Sequence, residues 1–273
     1  SDVCSSDLYR LGPIFTPPVV SRLEGPLAGF RSSGGTNWPG GSYDPETHVA
    51  FVPSFTSFPT VALMRSPSRE FSDLDWVAGF ADRGVQYVTG PGEDAGADAP
   101  AQGRGAAPAA GSRAGNITGA PTTSTGEAAQ SLNPQGLPLL KPPYGRITAI
   151  NMDTGEFLWQ VAHGETPDNV RNHPALKGLA IPRTGQSAAV GALVTKTLVV
   201  AGDPQATVTA EHPRGAMLRA YDKATGREVG AVFMPAPQSG TPMTYALAGR
   251  QHIVVAISGG AYSGEYVAYR LPR

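Results

Sequence analysis

The sequence predicts an all-β chain built from repeated sheets, and three observations lead there. The first is composition: 34 Gly and 26 Pro in 273 residues supply more turn chemistry than a helical protein tolerates. The second is a repeated pattern in which a strand ends in Ala-x-(Asn/Asp), a turn closes on Thr-Gly and a second strand follows. Ala149, Asn151, Thr154, Gly155 and Trp159 make one copy; Ala220, Asp222, Thr225 and Gly226 make a weaker one, with Gly230 where the Trp would stand. The third is a series of short apolar runs separated by Gly, Asp or Pro. Such repeats mark propellers and arrays, in which each unit buries its face only against the next.

Each position of the repeat has a physical reason. A short Asn or Asp side chain can hydrogen-bond backbone groups of the turn, and Gly accepts the positive φ that closes it. A Trp four residues beyond the Gly can then lie flat on a neighbouring sheet, which is the role expected of Trp159.

In chain order, residues 1–8 (Ser-Asp-Val-Cys-Ser-Ser-Asp-Leu) match one reading frame of a common sequencing adapter and are set apart as a non-native tail. Cys4, the one cysteine of the chain, goes with them, so no redox or metal-thiolate chemistry rests on it. A chain truncated on its N-terminal side is then expected, with any signal peptide or membrane anchor upstream. Residues 9–89 follow as a first blade region, opening on the extended Gly-Pro-Ile-Phe-Thr-Pro-Pro and continuing through a Gly-rich loop to a strand at 48–52. Residues 90–136 are dominated by Gly, Ala, Pro, Ser and Thr, a composition that cannot offset its ordering entropy, and form an expected flexible insertion. Residues 137–273 carry the C-terminal blades, with strands expected at 146–151, 156–161, 192–194, 197–201, 217–221, 228–234, 243–247, 252–257 and 265–270. Ala248-Gly249 between two apolar runs is a hairpin signal. The strands amount to three to four blades, too few to close a ring alone.

A net charge of −1 gives no electrostatic footprint for nucleic acid, and no apolar run reaches the roughly 18 residues of a membrane helix. Phosphate loops, dinucleotide glycine fingerprints, Cys/His zinc clusters and recognisable Ser/His/Asp spacings are all missing from the sequence.

Several blocks, in order, resemble the pyrroloquinoline-quinone (PQQ)-dependent dehydrogenases, closest to the glucose-dehydrogenase branch. They are Pro-Pro-Tyr-Gly-Arg-Ile-Thr-Ala-Ile-Asn from Pro142, Arg-Asn-His-Pro-Ala-Leu-Lys-Gly-Leu from Arg171, and Leu-Val-Thr-Lys-Thr-Leu-Val-Val-Ala-Gly from Leu193. Arg-Gly-Ala-Met-Leu-Arg-Ala-Tyr-Asp from Arg214, Pro-Met-Thr-Tyr from Pro242 and Ser-Gly-Gly-Ala-Tyr-Ser-Gly from Ser258 continue the series, and stretches 12–18 and 34–53 also look like that family. The resemblance implies an eight-bladed quinoprotein propeller, incomplete here, with PQQ on its axis beside Ca²⁺. It implies a periplasmic enzyme that oxidises a sugar or alcohol hydroxyl by hydride transfer to PQQ and passes electrons to a membrane quinone or a cytochrome. The proton-accepting Asp and most Ca²⁺ ligands of the family precede the Gly-Pro-Ile-Phe-Thr-Pro-Pro landmark, so no catalytic residue and no metal ligand is assigned within this chain, and the chain alone is expected to be inactive.

Asn37 and Trp38 match a family position lining the quinone, where an amide can donate to a quinone oxygen or carboxylate and an indole offers a flat wall. Gly259 and Gly260 let backbone approach the cofactor, and Ala261 and Tyr262 fall at the substrate mouth. Some membrane glucose dehydrogenases carry a His in this loop, and the Ala-Tyr-Ser found here puts glucose itself in doubt as substrate. Arg171, Asn172, His173 and Arg183 could face the PQQ carboxylates but suit loop closure and ion pairing better. His48, His163, His212 and His252 share no metal spacing and read as surface or strand residues. Asp73 and Asp75 form a close carboxylate pair without a full Ca²⁺ loop, and Asp153, Asp203 and Asp222 belong to turns by position. The alternative from another class is a non-catalytic PQQ-like propeller acting as a binding or scaffold protein.

Overall fold

The structure, a computed structural model, describes residues 9–13, 15–22, 26–30, 34–57, 60–80, 84–85, 136–210, 212–259 and 262–270. The tail at 1–8, nearly all of the insertion at 90–136, and Gly260 and Ala261 lie outside the described residues. The strands are β1 (Tyr9–Arg10), β2 (Val19–Val20), β3 (Ala28–Phe30), β4 (Ser42–Asp44), β5 (Val49–Phe55), β6 (Thr60–Arg65), β7 (Trp76–Phe80), β8 (Gly84–Val85) and β9 (Gly145–Asn151). They continue as β10 (Phe157–Ala162), β11 (Leu193–Val194), β12 (Leu198–Gly202), β13 (Ala216–Asp222), β14 (Glu228–Met234), β15 (Met243–Leu247), β16 (Arg250–Gly259) and β17 (Tyr262–Arg270). Helix is limited, among the described residues, to the short α1 (Asp168–Arg171), a 3₁₀ turn at Pro174–Leu176 and 3₁₀ backbone at Gly136.

The chain divides into two compact units. In the first, β1, β3, β6, β7 and β8 form one sheet with β2 paired to β6, around a small core of Tyr9, Val19, Ala28 and Ala62. The second unit holds three sheets: β10-β9-β5-β4, β11-β12-β13-β14 and β15-β16-β17. Every pairing in these three sheets is antiparallel.

Period-two alternation explains how the three sheets stack. On β12, Val199 and Ala201 turn towards the first sheet, where they meet Val49, Phe51, Ile147 and Ala149. Val200 between them turns the other way, joining Ala216, Leu218 and Met234 against Val255 and Ile257 of the third sheet. The middle sheet is therefore apolar on both faces, as expected of a sheet buried between two others. Stacked up-and-down sheets of this kind are the blade architecture expected from the repeat.

The two Thr-Gly copies occupy the same place in successive sheets, the turn between third and fourth strand. Asn151 Oδ1 accepts from the N–H of Asp153 (2.8 Å) and Thr154 (3.1 Å), and Asp222 Oδ1 from the N–H of Thr225 (2.9 Å). Gly155 and Gly226 close the turns at φ 76° and 71°. Trp159 leaves β10 and lies on the second turn: its Nε1 donates to Lys223 O (3.1 Å), and a Cβ placed on Gly226 would stand 2.6 Å from its ring. The expected docking of Trp159 is thus present, with Phe51 against its inner face at 5.7 Å between ring centroids. Lys223 also reaches back to the same sheet through an ion pair of 2.6 Å with Asp44. In the second copy Gly230 leaves the docking place open.

The expected hairpin turn is found between β15 and β16, with Ala248 and Gly249 both at positive φ (50° and 71°). Pairing of β5 with β9 joins segments from either side of residues 86–135 into one sheet.

Candidate functional site

Glycine brackets the Asn37 turn on both sides. Gly35 pairs with Phe55, and Ser42 pairs with Phe51, so six residues on one strand oppose three on the other. The surplus is pushed out of the sheet as a turn closed by Gly40 N–H donating to Asn37 O (2.7 Å), with Gly40 at φ 67°. A Cβ on Gly34 would stand 2.5 Å from Phe55 O, and one on Gly41 2.8 Å from Phe51 O, so side chains at either foot of the turn would push it off β5.

Asn37 and Trp38 ride on the crest of that turn. Asn37 Oδ1 accepts from Trp38 N–H (2.8 Å), which orients the amide and leaves its Nδ2 donors at the surface. Trp38 is 97% exposed, an unusual state for an indole in a sheet protein. The turn projects from β4, the edge strand of its sheet, and Ser42 Oγ on that strand donates to Ala192 O beside β11, the edge strand of the next sheet.

Gly259 ends β16 at φ 145°, and a Cβ there would stand 3.3 Å from Pro237 Cδ. Tyr262, its partner across the turn, packs on the core between the second and third sheets, and its hydroxyl donates to Glu265. That hydrogen bond to a carboxylate holds the Tyr262 hydroxyl above the ordinary tyrosine range. Hydrogen bonds also place the Gly259 turn and the Gly35 foot at one end of the stacked sheets. Phe55, Gly145 and His163 lie together at that end of the first sheet, His163 reaches Gly202 in the second, and Gln238 ties Gly202 to the strand carrying Gly259. The Thr-Gly turns lie at the opposite end. Asn37 and Gly259 are thus on the first and third sheets, on either side of the middle one, and towards one end, while Gly260 and Ala261 lie outside the described residues.

The same end holds a buried ionic cluster that sequence reasoning missed. Arg219 grips Asp203 with two hydrogen bonds, Nε to Oδ1 at 2.6 Å and Nη2 to Oδ2 at 2.9 Å, and Asp203 is 0% exposed. Glu228 (3.1 Å) and Glu165 (3.2 Å) complete the guanidinium's shell. Burial disfavours the Arg219 charge, but Asp203 outweighs it and raises the group's pKa. Burial likewise works to raise the Glu165 carboxyl, yet the Thr166 N–H, Arg219 and Arg171 together hold it below the usual carboxylate range.

His163, expected at the surface or on a strand, is instead enclosed just past β10. Its Nδ1 meets Tyr221 Oη (2.9 Å), its Nε2 meets Gly202 O (3.1 Å), and burial lowers its pKa, so the imidazole is neutral. The neutral ring donates from Nε2 and accepts from the tyrosine. Arg171 pairs with Glu165 (3.1 Å) and Arg183 with Glu228 (2.7 Å), the ion-pairing role expected of them. Asp203 is more than a turn residue, and nothing in Gly-Asp-Pro announces a partner sixteen positions away. With its charges paired, the cluster is suited to holding loops rather than to reacting.

Elsewhere, His48 pairs with Asp153 (3.0 Å), His252 stacks on Tyr245, and Asp75 pairs with Arg69 (2.6 Å). Among the described residues no three His, Cys, Asp or Glu side chains gather as a metal site, and no helix is long and apolar enough to cross a membrane.

The turn's free amide donors and bare indole suit a flat ligand carrying carbonyl and carboxylate oxygens. Quinoprotein glucose dehydrogenase A of Acinetobacter calcoaceticus is 30% identical over 154 residues, 54% of this chain and 18% of that protein. The quinate/shikimate dehydrogenase (quinone) of Acinetobacter baylyi is 32% identical over 148 residues, 50% of this chain and 17% of that protein. The chain therefore spans less than a fifth of the length of these relatives. A solved quinohemoprotein alcohol dehydrogenase from Comamonas testosteroni aligns over 85% of this chain and 25% of its own, with 20% identity and a TM-score of 0.40. The family described as PQQ glucose/ethanol/alcohol dehydrogenase, β-propeller domain, matches residues 3–253, and on that match over most of its length the chain belongs to the PQQ-dependent dehydrogenase β-propeller family.

Proposed function

We propose that this chain forms the C-terminal blades of a PQQ-dependent dehydrogenase that oxidises a sugar or alcohol hydroxyl. The observation that carries the reading is the glycine-bracketed turn presenting Asn37 and Trp38 from a sheet edge in a chain of this family. PQQ, when bound, supplies a two-electron acceptor for hydride from the substrate carbon. Asn37 donates an amide N–H to a quinone or carboxylate oxygen, fixing the ring's orientation. Trp38 offers a flat apolar wall that excludes water from one face, and the exposed indole is covered by that contact. Gly259 and Gly260 bring backbone close to the ligand, with Ala261 and Tyr262 at the substrate mouth; the Tyr262–Glu265 hydrogen bond keeps that side chain in one place. The proton-accepting carboxylate and the ligands of a Ca²⁺ ion lie on segments outside this chain. Electrons leave to a membrane quinone or a cytochrome, and the protein works in the periplasm.

Reconstituting the full-length protein with PQQ and Ca²⁺ and following dye reduction across a panel of sugars and alcohols tests the reading. Turnover is expected from the full-length protein and none from residues 1–273 alone. Turnover by this chain alone would place the base within it. Full-length protein that turns over no member of the panel would favour a binding propeller instead.

A further inference from the structure

Gln238 is almost fully buried and joins three segments with one side chain. Its Oε1 accepts from Gly202 N–H (2.5 Å) at the end of β12, and its Nε2 donates to Gly191 O (2.8 Å) ahead of β11. A backbone N–H only donates and a carbonyl only accepts, so these partners fix which way the amide faces. Its own backbone is bridged to Ile257, and its N–H donates to Asp203 O (3.1 Å). Next to it, Pro237 O accepts from Ser258 N–H (3.0 Å), and the Pro237 ring closes on Gly259. Gly202 makes room for the glutamine, since a Cβ there would stand 2.9 Å from Gln238 Cβ.

These contacts form a continuous path between the two halves of the candidate site. The Gly259 turn is tied to Pro237 and Gln238, Gln238 to Gly191, and the adjoining Ala192 O to Ser42, at the foot of the Asn37 turn. We propose that Gln238 is a positioning residue that sets the Gly259 turn in register with the Asn37 turn, and so sets the cofactor's fit; this role rests on the reading of the site as a PQQ site. Only a side chain with a donor and an acceptor on one end can serve both Gly202 and Gly191. An ionised glutamate cannot, because it has no proton for Gly191 O. A protonated glutamate can, because its O–H replaces the amide N–H.

The test uses the full-length protein with Gln238→Ala and Gln238→Glu, each titrated with PQQ and compared with wild type at the same pH. Gln238→Ala should weaken PQQ about 10-fold, the expected scale for a buried hydrogen-bonded group left without its partner. It should also speed amide exchange at Ser239 and Ser258, whose N–H groups donate to Ala256 O and Pro237 O across the Gln238 bridge. Gln238→Glu should be weak at pH 8 and recover towards wild type near pH 5, as the carboxyl, its pKa raised by burial, takes up a proton. A general loss of folding would lower the melting temperature without that acid recovery, and such a result overturns the positioning role. So does wild-type affinity in Gln238→Ala when Asn37→Ala has lost it, or unchanged exchange at Ser239 and Ser258. Failure of the wild type itself to bind PQQ overturns the site reading and this role with it, and is seen before any substitution is made.

Discussion

Replacing Arg219 with alanine is expected to destabilise the protein by about 3–5 kcal/mol, the range found when one member of a buried ion pair is removed. Asp203 has no exposed surface, and Arg219 supplies two of its hydrogen bonds. Without the guanidinium, Asp203 must stay charged in a poor solvent or take up a proton, and Glu165 and Glu228 lose a shared cation. The double substitution Arg219→Met with Asp203→Leu should recover part of the loss, because Asp203 is no longer an orphaned charge while Glu165 and Glu228 keep only Arg171 and Arg183 as partners. Urea unfolding of the three proteins checks this. A single variant within about 0.5 kcal/mol of wild type, the range of ordinary surface substitutions, would mean that the cluster is solvated and holds nothing.

Trp159→Ala should cost about 2–4 kcal/mol, somewhat less than a fully buried Trp because the side chain is half-buried. The loss has two parts. The ring covers Gly226 and Phe51, and Nε1 satisfies Lys223 O. Trp159→Phe keeps much of the first and loses the second, for an expected cost of about 0.5–1.5 kcal/mol. Equal losses in the two variants would show that packing on the Thr-Gly turn contributes little.

Local chemistry made much of the second unit legible from sequence. Gly155 and Gly226 at positive φ, the Asn151 and Asp222 side chains closing their turns, and Ala248-Gly249 all act within a few residues, so their strands fall close to where they were expected. Trp159 was legible for the same reason, since its distance from Gly155 is fixed by the strand between them. Pairings that skip along the chain were not legible. Nothing in the sequence of β5 says that it pairs with β9 across residues 86–135, and the short β6 and β7 carry no repeat to mark them. The ionic cluster escaped for a related reason: Glu165, Asp203, Arg219 and Glu228 come from four separate stretches, three of them united by pairing within the middle sheet and Glu165 by the stacking of the first sheet on it. His163 offered no local sign of burial, being enclosed by Tyr221 and Gly202 of the next sheet. At the candidate site the sequence pointed to Asn37 and Trp38 by resemblance. The structure added the reason for the glycines around them, which let the two feet of the turn lie close on β5 while the residues between are pushed out of the sheet.

The most direct test of a cofactor role for that turn is equilibrium titration of the full-length protein with PQQ, followed by quenching of tryptophan fluorescence, in wild type and in Asn37→Ala. Saturable binding by the wild type is expected, weakened about 10-fold or more in the variant, the scale of a lost hydrogen bond to a charged or buried group. Saturable binding of equal affinity in both proteins would contradict the role given to Asn37, and no saturable binding in either would contradict the PQQ site.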